Sequence, residues 1–185
     1  MKASEEPSMK AMMTMGIALL LLFASFGQDM KSEEIKAKLE RDIAELTRGI
    51  RQRPNDDMAY QLRARAKSFL DRTDEAIKDL NEAIRINSKE GTHFLYRGQC
   101  WKVNKEYKKA LADLDQSVKL NPKDTDALLE RATVLVKLNE KDRAIEDLTQ
   151  VITLEPEDIE SRIKRAEIYV DQPSISLPWM ISIRF

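Results

Sequence analysis

The sequence predicts an all-α solenoid of antiparallel helix pairs, and three observations carry that expectation. First, Ala76, Ala110 and Ala144 stand 34 residues apart inside one recurring phrase: Ala76-Ile77-Lys78-Asp79-Leu80, Ala110-Leu111-Ala112-Asp113-Leu114 and Ala144-Ile145-Glu146-Asp147-Leu148. Second, an arginine followed by a small residue recurs in step, as Arg63-Ala64, Arg97-Gly98, Arg131-Ala132 and Arg165-Ala166. Third, the apolar residues within each unit fall at three- and four-residue steps, with no strand-like alternation. A fixed period of this length marks a stack of identical supersecondary units.

In chain order, residues 1–27 read as a secretory signal peptide. Residues 11–28 carry no charge, Lys10 precedes them, and Ser25 and Gly27 sit two apart after the apolar run. Cleavage is expected after Gly27. An uncleaved signal anchor and a buried core helix are the alternatives, the run being at the short edge of what spans a bilayer. Glu5 and Glu6 are unusual in a leader, and Met9-Lys10 would make a cleaner start.

Residues 31–53 form the next expected element. Ile43, Leu46, Gly49 and Ile50 lie one period before Ile77, Leu80, Ala83 and Ile84, which makes this helix the second half of an incomplete unit capping the array. A short coiled coil is the rival, since Leu39, Ile43, Leu46 and Ile50 also fit a seam.

Three complete units follow, at 57–90, 91–124 and 125–158, with a partial fourth at 159–171. In the middle unit the spacing predicts helices over Thr92–Val103 and Tyr107–Leu120. Asn121-Pro122 and Glu155-Pro156 close two units, because proline lacks an amide hydrogen and disfavours helix at the residue before it. Asn87-Ser88 holds the same place without proline, and a looser turn is expected there. Ala64, Gly98, Ala132 and Ala166 on the first helices, and Ala76, Ala110 and Ala144 on the second, let the two helices approach closely. Leu80, Leu114 and Leu148 fill the space between them. A larger residue at Ala110 or Ala132 should overpack the contact and cost about 1–3 kcal/mol.

These residues resemble the tetratricopeptide repeat family over about residues 57–170. Period, small residues, the Ala and Leu of the second helix and the closing proline all match. The aromatic slots match in part: Trp101, Tyr107 and Tyr169 fit, whereas Lys67, Thr73, Leu135 and Lys141 do not. The resemblance implies a right-handed superhelical solenoid whose first helices line a concave groove. That groove would present Gln61, Arg65 and Phe69 from the first unit, then Leu95, Tyr96, Gln99 and Val103 from the second. Leu129, Glu130 and Thr133 would follow from the third, and Ile163 and Lys164 from the fourth. Leu95, Leu129 and Ile163 recur in step, which packing between helices would equally demand. Some members grip the C-terminal carboxylate of chaperones; here Asp126 and Glu130 occupy clamp places and would repel it, so no such clamp is expected.

Arg63, Arg97 and Arg131 recur with Asp79, Asp113 and Asp147, either as interface ion pairs or as solvated charges copied by duplication. The chain carries 31 basic and 32 acidic residues, which argues against an electrostatic nucleic-acid binder. One cysteine, Cys100, permits no internal disulfide and reads as a packing residue. The only histidine, His93, reads as a surface residue near a helix start. No phosphate loop, dinucleotide turn or zinc-like spacing is present, so no catalytic residues, metal or cofactor are expected. Past Val170 the register fails. Residues 172–185 form an irregular apolar tail, either a cap over the open end or the altered end of a longer repeat protein.

The function expected is a non-enzymatic, exported scaffold, secreted or periplasmic, binding another protein or peptide on its concave face. Contact with a membrane is expected only through an uncleaved N-terminal segment. Two other readings stand beside it: the accessory region of a longer enzyme, and a membrane-tethered assembly factor.

Overall fold

The computed structural model describes residues 32–171. The leader and tail expectations, for 1–27 and 172–185, lie outside the described residues. Eight helices and no strands occur among the described residues. They are α1 (32–52), α2 (Asp57–Phe69), α3 (Thr73–Ile86), α4 (Gly91–Val103), α5 (Tyr107–Leu120), α6 (Thr125–Lys137), α7 (Lys141–Leu154) and α8 (Ile159–Val170). The hairpins α2–α3, α4–α5 and α6–α7 pack closely, and each second helix packs on the next first helix. The first helices α2, α4 and α6 also touch one another. That places them on the inner side of an all-α solenoid.

Local sequence sets every boundary. Each first helix begins behind an acidic cap: Asp56 accepts from the Ala59 amide, Glu90 from Thr92, Asp124 from Ala127 and Asp158 from Glu160 and Ser161. The three hairpin turns reverse through a residue with positive φ: Asp71 at 58°, Lys105 at 60° and Asn139 at 63°. Each turn closes with the paired bonds of a Schellman motif, as in Glu106 N–H to Trp101 O at 2.9 Å and Lys105 N–H to Lys102 O at 3.0 Å. The turn at Asn87-Ser88 corrects the expectation of looseness. It has the form of the proline turns, because Asn87 Oδ1 accepts from the Lys89 amide and Nδ2 donates to Asp57 Oδ2 at 2.9 Å.

Close approach explains the small residues. A Cβ on Gly98 would sit 2.9 Å from Leu114 Cγ and 3.3 Å from the Ala110 carbonyl oxygen. Ala64, Ala76, Leu80, Ala110, Leu114, Ala132, Ala144 and Leu148 are all buried. Ala166 differs. It is exposed, because among the described residues α8 has no second helix to cover it.

The recurrent charges are paired. Arg63, Arg97 and Arg131 each donate from Nε and Nη2 to both carboxylate oxygens of Asp79, Asp113 and Asp147, at 2.6–2.9 Å. From Nη1 each also reaches the preceding second helix, at Thr47, Asn81 and Asp115. One guanidinium thus joins three helices. Thr47 makes this bond from the same register place as Asn81 and Asp115, so α1 sits where a second helix would. Lys67, in an aromatic slot, turns its ammonium onto Asp79 at 2.8 Å. The aspartate bond and burial act oppositely on the Arg63 and Arg131 guanidiniums, and the bond prevails, raising both above the ordinary arginine value. Fixing helix geometry is the better-founded role for such pairs, since desolvation offsets much of their attraction.

Candidate functional site: the concave groove

A run of four open clefts follows the inner helices. The first lies between α1 and α2, with a volume near 520 Å³, and includes Leu39, Leu46, Leu62, Arg65 and Phe69. A second, near 500 Å³, shares Arg65 and Phe69 with it and adds Ser68, Tyr96, Gln99, Cys100, Lys102, Val103, Asp126 and Glu130. A third, near 380 Å³, continues from Gln99 and Glu130 to Leu129, Thr133, Glu160 and Lys164. The last, near 370 Å³, is formed by Thr133, Val136, Lys141, Lys164 and Ile168 among others. Neighbouring clefts share residues, so the surface is one continuous groove.

The groove is mainly apolar in its first two clefts, polar in the third, and apolar again in the last, where Ala132, Val136, Leu148 and Ile168 line it. Phe69 is 74% exposed and Val103 60%, unusual for large apolar side chains. Met58 and Leu62, on the same helix as Phe69, are exposed as well. The Arg65 guanidinium lies over the Tyr96 ring, 4.8 Å from its centroid, a cation–π contact that holds the ring at the groove wall. Past Tyr96 the wall turns polar through the third cleft. Glu130 accepts from Gln99 Nε2 at 3.1 Å and pairs with the Lys102 ammonium. Asp126 lines the same cleft as Glu130 and is exposed.

Most of the residues expected in the groove meet there: Arg65, Phe69, Tyr96, Gln99, Val103, Leu129, Glu130, Thr133 and Lys164. Three do not. Leu95 is 4% exposed and belongs to the core with Ala110, Leu114 and Leu128. Gln61 is also 4% exposed and bonds His93 and Thr92 instead. Ile163 is exposed but lines none of the four clefts. Lys102 belongs to the groove and was missed. Its place three residues after Gln99, on the same helical face, was the available signal.

His93 is a correction. It is fully buried, not a surface residue, with Nε2 donating to Asp57 Oδ2 at 3.0 Å and Nδ1 lying 2.6 Å from Gln61 Oε1. Its register neighbours face the preceding repeat, and α2 supplies the two polar partners that make burial tolerable. Burial works against the Asp57 carboxylate, and hydrogen bonds from His93 and Asn87 outweigh it, holding its pKa below the usual value. Cys100 is buried, and that burial pushes its thiol up despite a hydrogen bond with Ser68, so it is a weak nucleophile. Among the described residues, no group of three or more His, Cys, Asp or Glu side chains is placed to hold a metal ion.

Residues 59–90 and 125–158 match the family model described as tetratricopeptide repeat. No curated protein matches the chain. Among solved structures, a crystal structure of MamA is 18% identical, covers 76% of this chain and 82% of its own, and superposes with a TM-score of 0.69. YrrB, described as a tetratricopeptide repeat protein with an unusual peptide-binding site, is 21% identical over 80% of this chain and 74% of its own, with a TM-score of 0.64. The first such domain of Spaghetti (RPAP3), solved bound to the HSP90 peptide SRMEEVD, is 20% identical over 62% of this chain and 91% of its own, with a TM-score of 0.61. At these identities the likeness establishes the fold alone. The family match identifies residues 59–90 and 125–158 as tetratricopeptide repeats, and the same Arg–Asp and small-residue positions recur in the unit between them.

Proposed function

We propose that this protein is a non-catalytic scaffold that binds an extended or helical segment of another protein along its concave groove. The observation that carries the reading is the exposure of Phe69 and Val103 beside Tyr96 in a groove continuous over four helices. Large apolar side chains held open beside satisfied polar ones suit a peptide with an apolar anchor. The peptide-bound Spaghetti (RPAP3) domain and the peptide-binding site of YrrB are consistent with this use of the fold.

Selection from a displayed random-peptide library, followed by calorimetry on the full chain, tests the proposal. Binders should share an apolar residue and lose at least tenfold in affinity to F69D or Y96A, while K78E on α3 leaves affinity unchanged. Equal binding to F69D and the unaltered chain would refute it.

The groove is not proposed as a chaperone clamp, because the Asp126 and Glu130 carboxylates line it and would repel a C-terminal carboxylate. A peptide ending in Glu-Glu-Val-Asp should show no measurable binding. Export is proposed from the uncharged 11–28 run and the small residues Ser25 and Gly27. Sequencing the mature N-terminus should find Gln28 first, and an intact leader would support membrane tethering instead.

A further inference from the structure

We propose that copies of this chain stack end to end, α8 of one copy against α1 of the next, so that the two ends together complete a repeat. The inference begins with the arginine ladder. Arg63, Arg97 and Arg131 each hold one partner sixteen residues before and one carboxylate sixteen residues after. Among the described residues Arg165 makes only the first half, donating to Thr149 Oγ1 at 2.9 Å. The residue sixteen places on is Ile181, which has no carboxylate, and Pro178 stands where Ala76, Ala110 and Ala144 stand in the inner units. The chain's own continuation therefore lacks the pattern that completes the ladder.

Exposure marks the same face of α8. Ile163 is 53% exposed and Ala166 is exposed, while their register counterparts Leu95, Gly98 and Ala132 are buried.

The other end is complementary. Helix α1 runs unbroken through residues 36–38, one period before the hairpin turn at 70–72. A first helix cannot fold back onto α1 there by the turn the other repeats use. The face so left lines the cleft of about 520 Å³, with Leu39, Glu45, Leu46 and Gly49 along it. A Cβ on Gly49 would meet nothing within 4 Å. Glu45 stands at the register place of Asp79, Asp113 and Asp147, is exposed, and meets no partner among the described residues.

Shifting a second copy by four periods brings its Glu45 to the carboxylate place beyond Arg165. Its Leu46 falls where Leu80, Leu114 and Leu148 pack against the small residue of the first helix. One position departs from the pattern: Asp42 replaces the second-helix alanine, and its carboxylate is held by Lys38 at 3.1 Å. Such a head-to-tail contact does not close at two copies and generates rings or open fibres.

Sedimentation of the full chain over a wide concentration range tests this. Concentration-dependent association is expected. R165E and E45R, each placing like charges in contact, should each weaken it by roughly tenfold or more. Mixing the two variants should restore it, since each reversed residue then meets its complement. E45Q should weaken association less than E45R, and circular dichroism should show all variants folded. The proposal is overturned if the full chain stays monomeric, if association survives both single reversals, or if the mixture fails to associate. Association through the apolar 11–28 run, present in every variant, would give the second of these results.

Discussion

Two seams between neighbouring repeats share one geometry and differ in chemistry. Between the first and second complete repeats, Gln61 meets His93 and Thr92 and Asp57 meets His93 through buried or half-buried hydrogen bonds, with Asn87 donating to Asp57 behind them. Between the second and third, Leu95 and Val118 meet Ala127 and Leu128 in a wholly apolar cluster. In register, Leu95 replaces Gln61, Ala127 replaces His93 and Gly91 replaces Asp57. The backbone arrangement is therefore indifferent to whether its seam is polar or apolar, provided volumes fit and every buried polar group is paired. The two chemistries should nevertheless fail differently. An apolar seam fails by cavity, a polar one by stranding a partner.

The largest effect is expected at the apolar seam. Leu128→Ala should cost about 3–4 kcal/mol in urea unfolding followed by circular dichroism, because Leu128 is fully buried and its cavity has no polar group to admit water. At the polar seam, Gln61→Leu should cost about 2 kcal/mol by leaving the imidazole short of a partner. The double variant Q61L/H93A, which copies the apolar seam at two of its three replaced positions, should cost less than Q61L alone. A simple sum of the two single costs would break the comparison.

A pH series sharpens it. The Asp57 carboxylate is held below its ordinary pKa by His93 and Asn87 against the opposing effect of burial. A lowered folded-state pKa stabilises the protein above the unfolded value, near 4, and that contribution is lost as pH falls through the folded value. Asp57→Asn should therefore cost about 1 kcal/mol at pH 7 and progressively less below pH 4. A cost independent of pH would show that the carboxylate charge contributes nothing to this seam. The smallest effect should come from a change that touches neither seam. Lys105 sits at φ 60°, and Lys105→Gly should raise stability by about 0.5–1 kcal/mol by relieving left-handed strain.

What was legible in the sequence was whatever recurs. The alanines, the leucines and the Arg–Asp couples repeat at one period, and repetition exposes their shared place. Recurrence alone did not decide whether Arg97 and Asp113 touch; their bidentate geometry did. His93 has no recurrence to betray it, since its burial depends on two partners a full repeat upstream. Gln61 misled for the same reason: on its own helix it looks like a polar groove residue, and only the approach of α4 turns it inward. Phe69 and Val103 were readable because they lie one period apart at the ends of first helices. Lys102 was missed because an ion pair with Glu130 crosses between two helices.

The central claim, that the concave groove is where a partner docks, is tested most directly by backbone amide spectra of the isotopically labelled chain titrated with a selected peptide. Shifts should concentrate at Phe69, Tyr96, Gln99, Val103 and Thr133 on α2, α4 and α6. Shifts centred on the outer helices α3, α5 and α7, with Tyr96 and Val103 unmoved, would contradict the account.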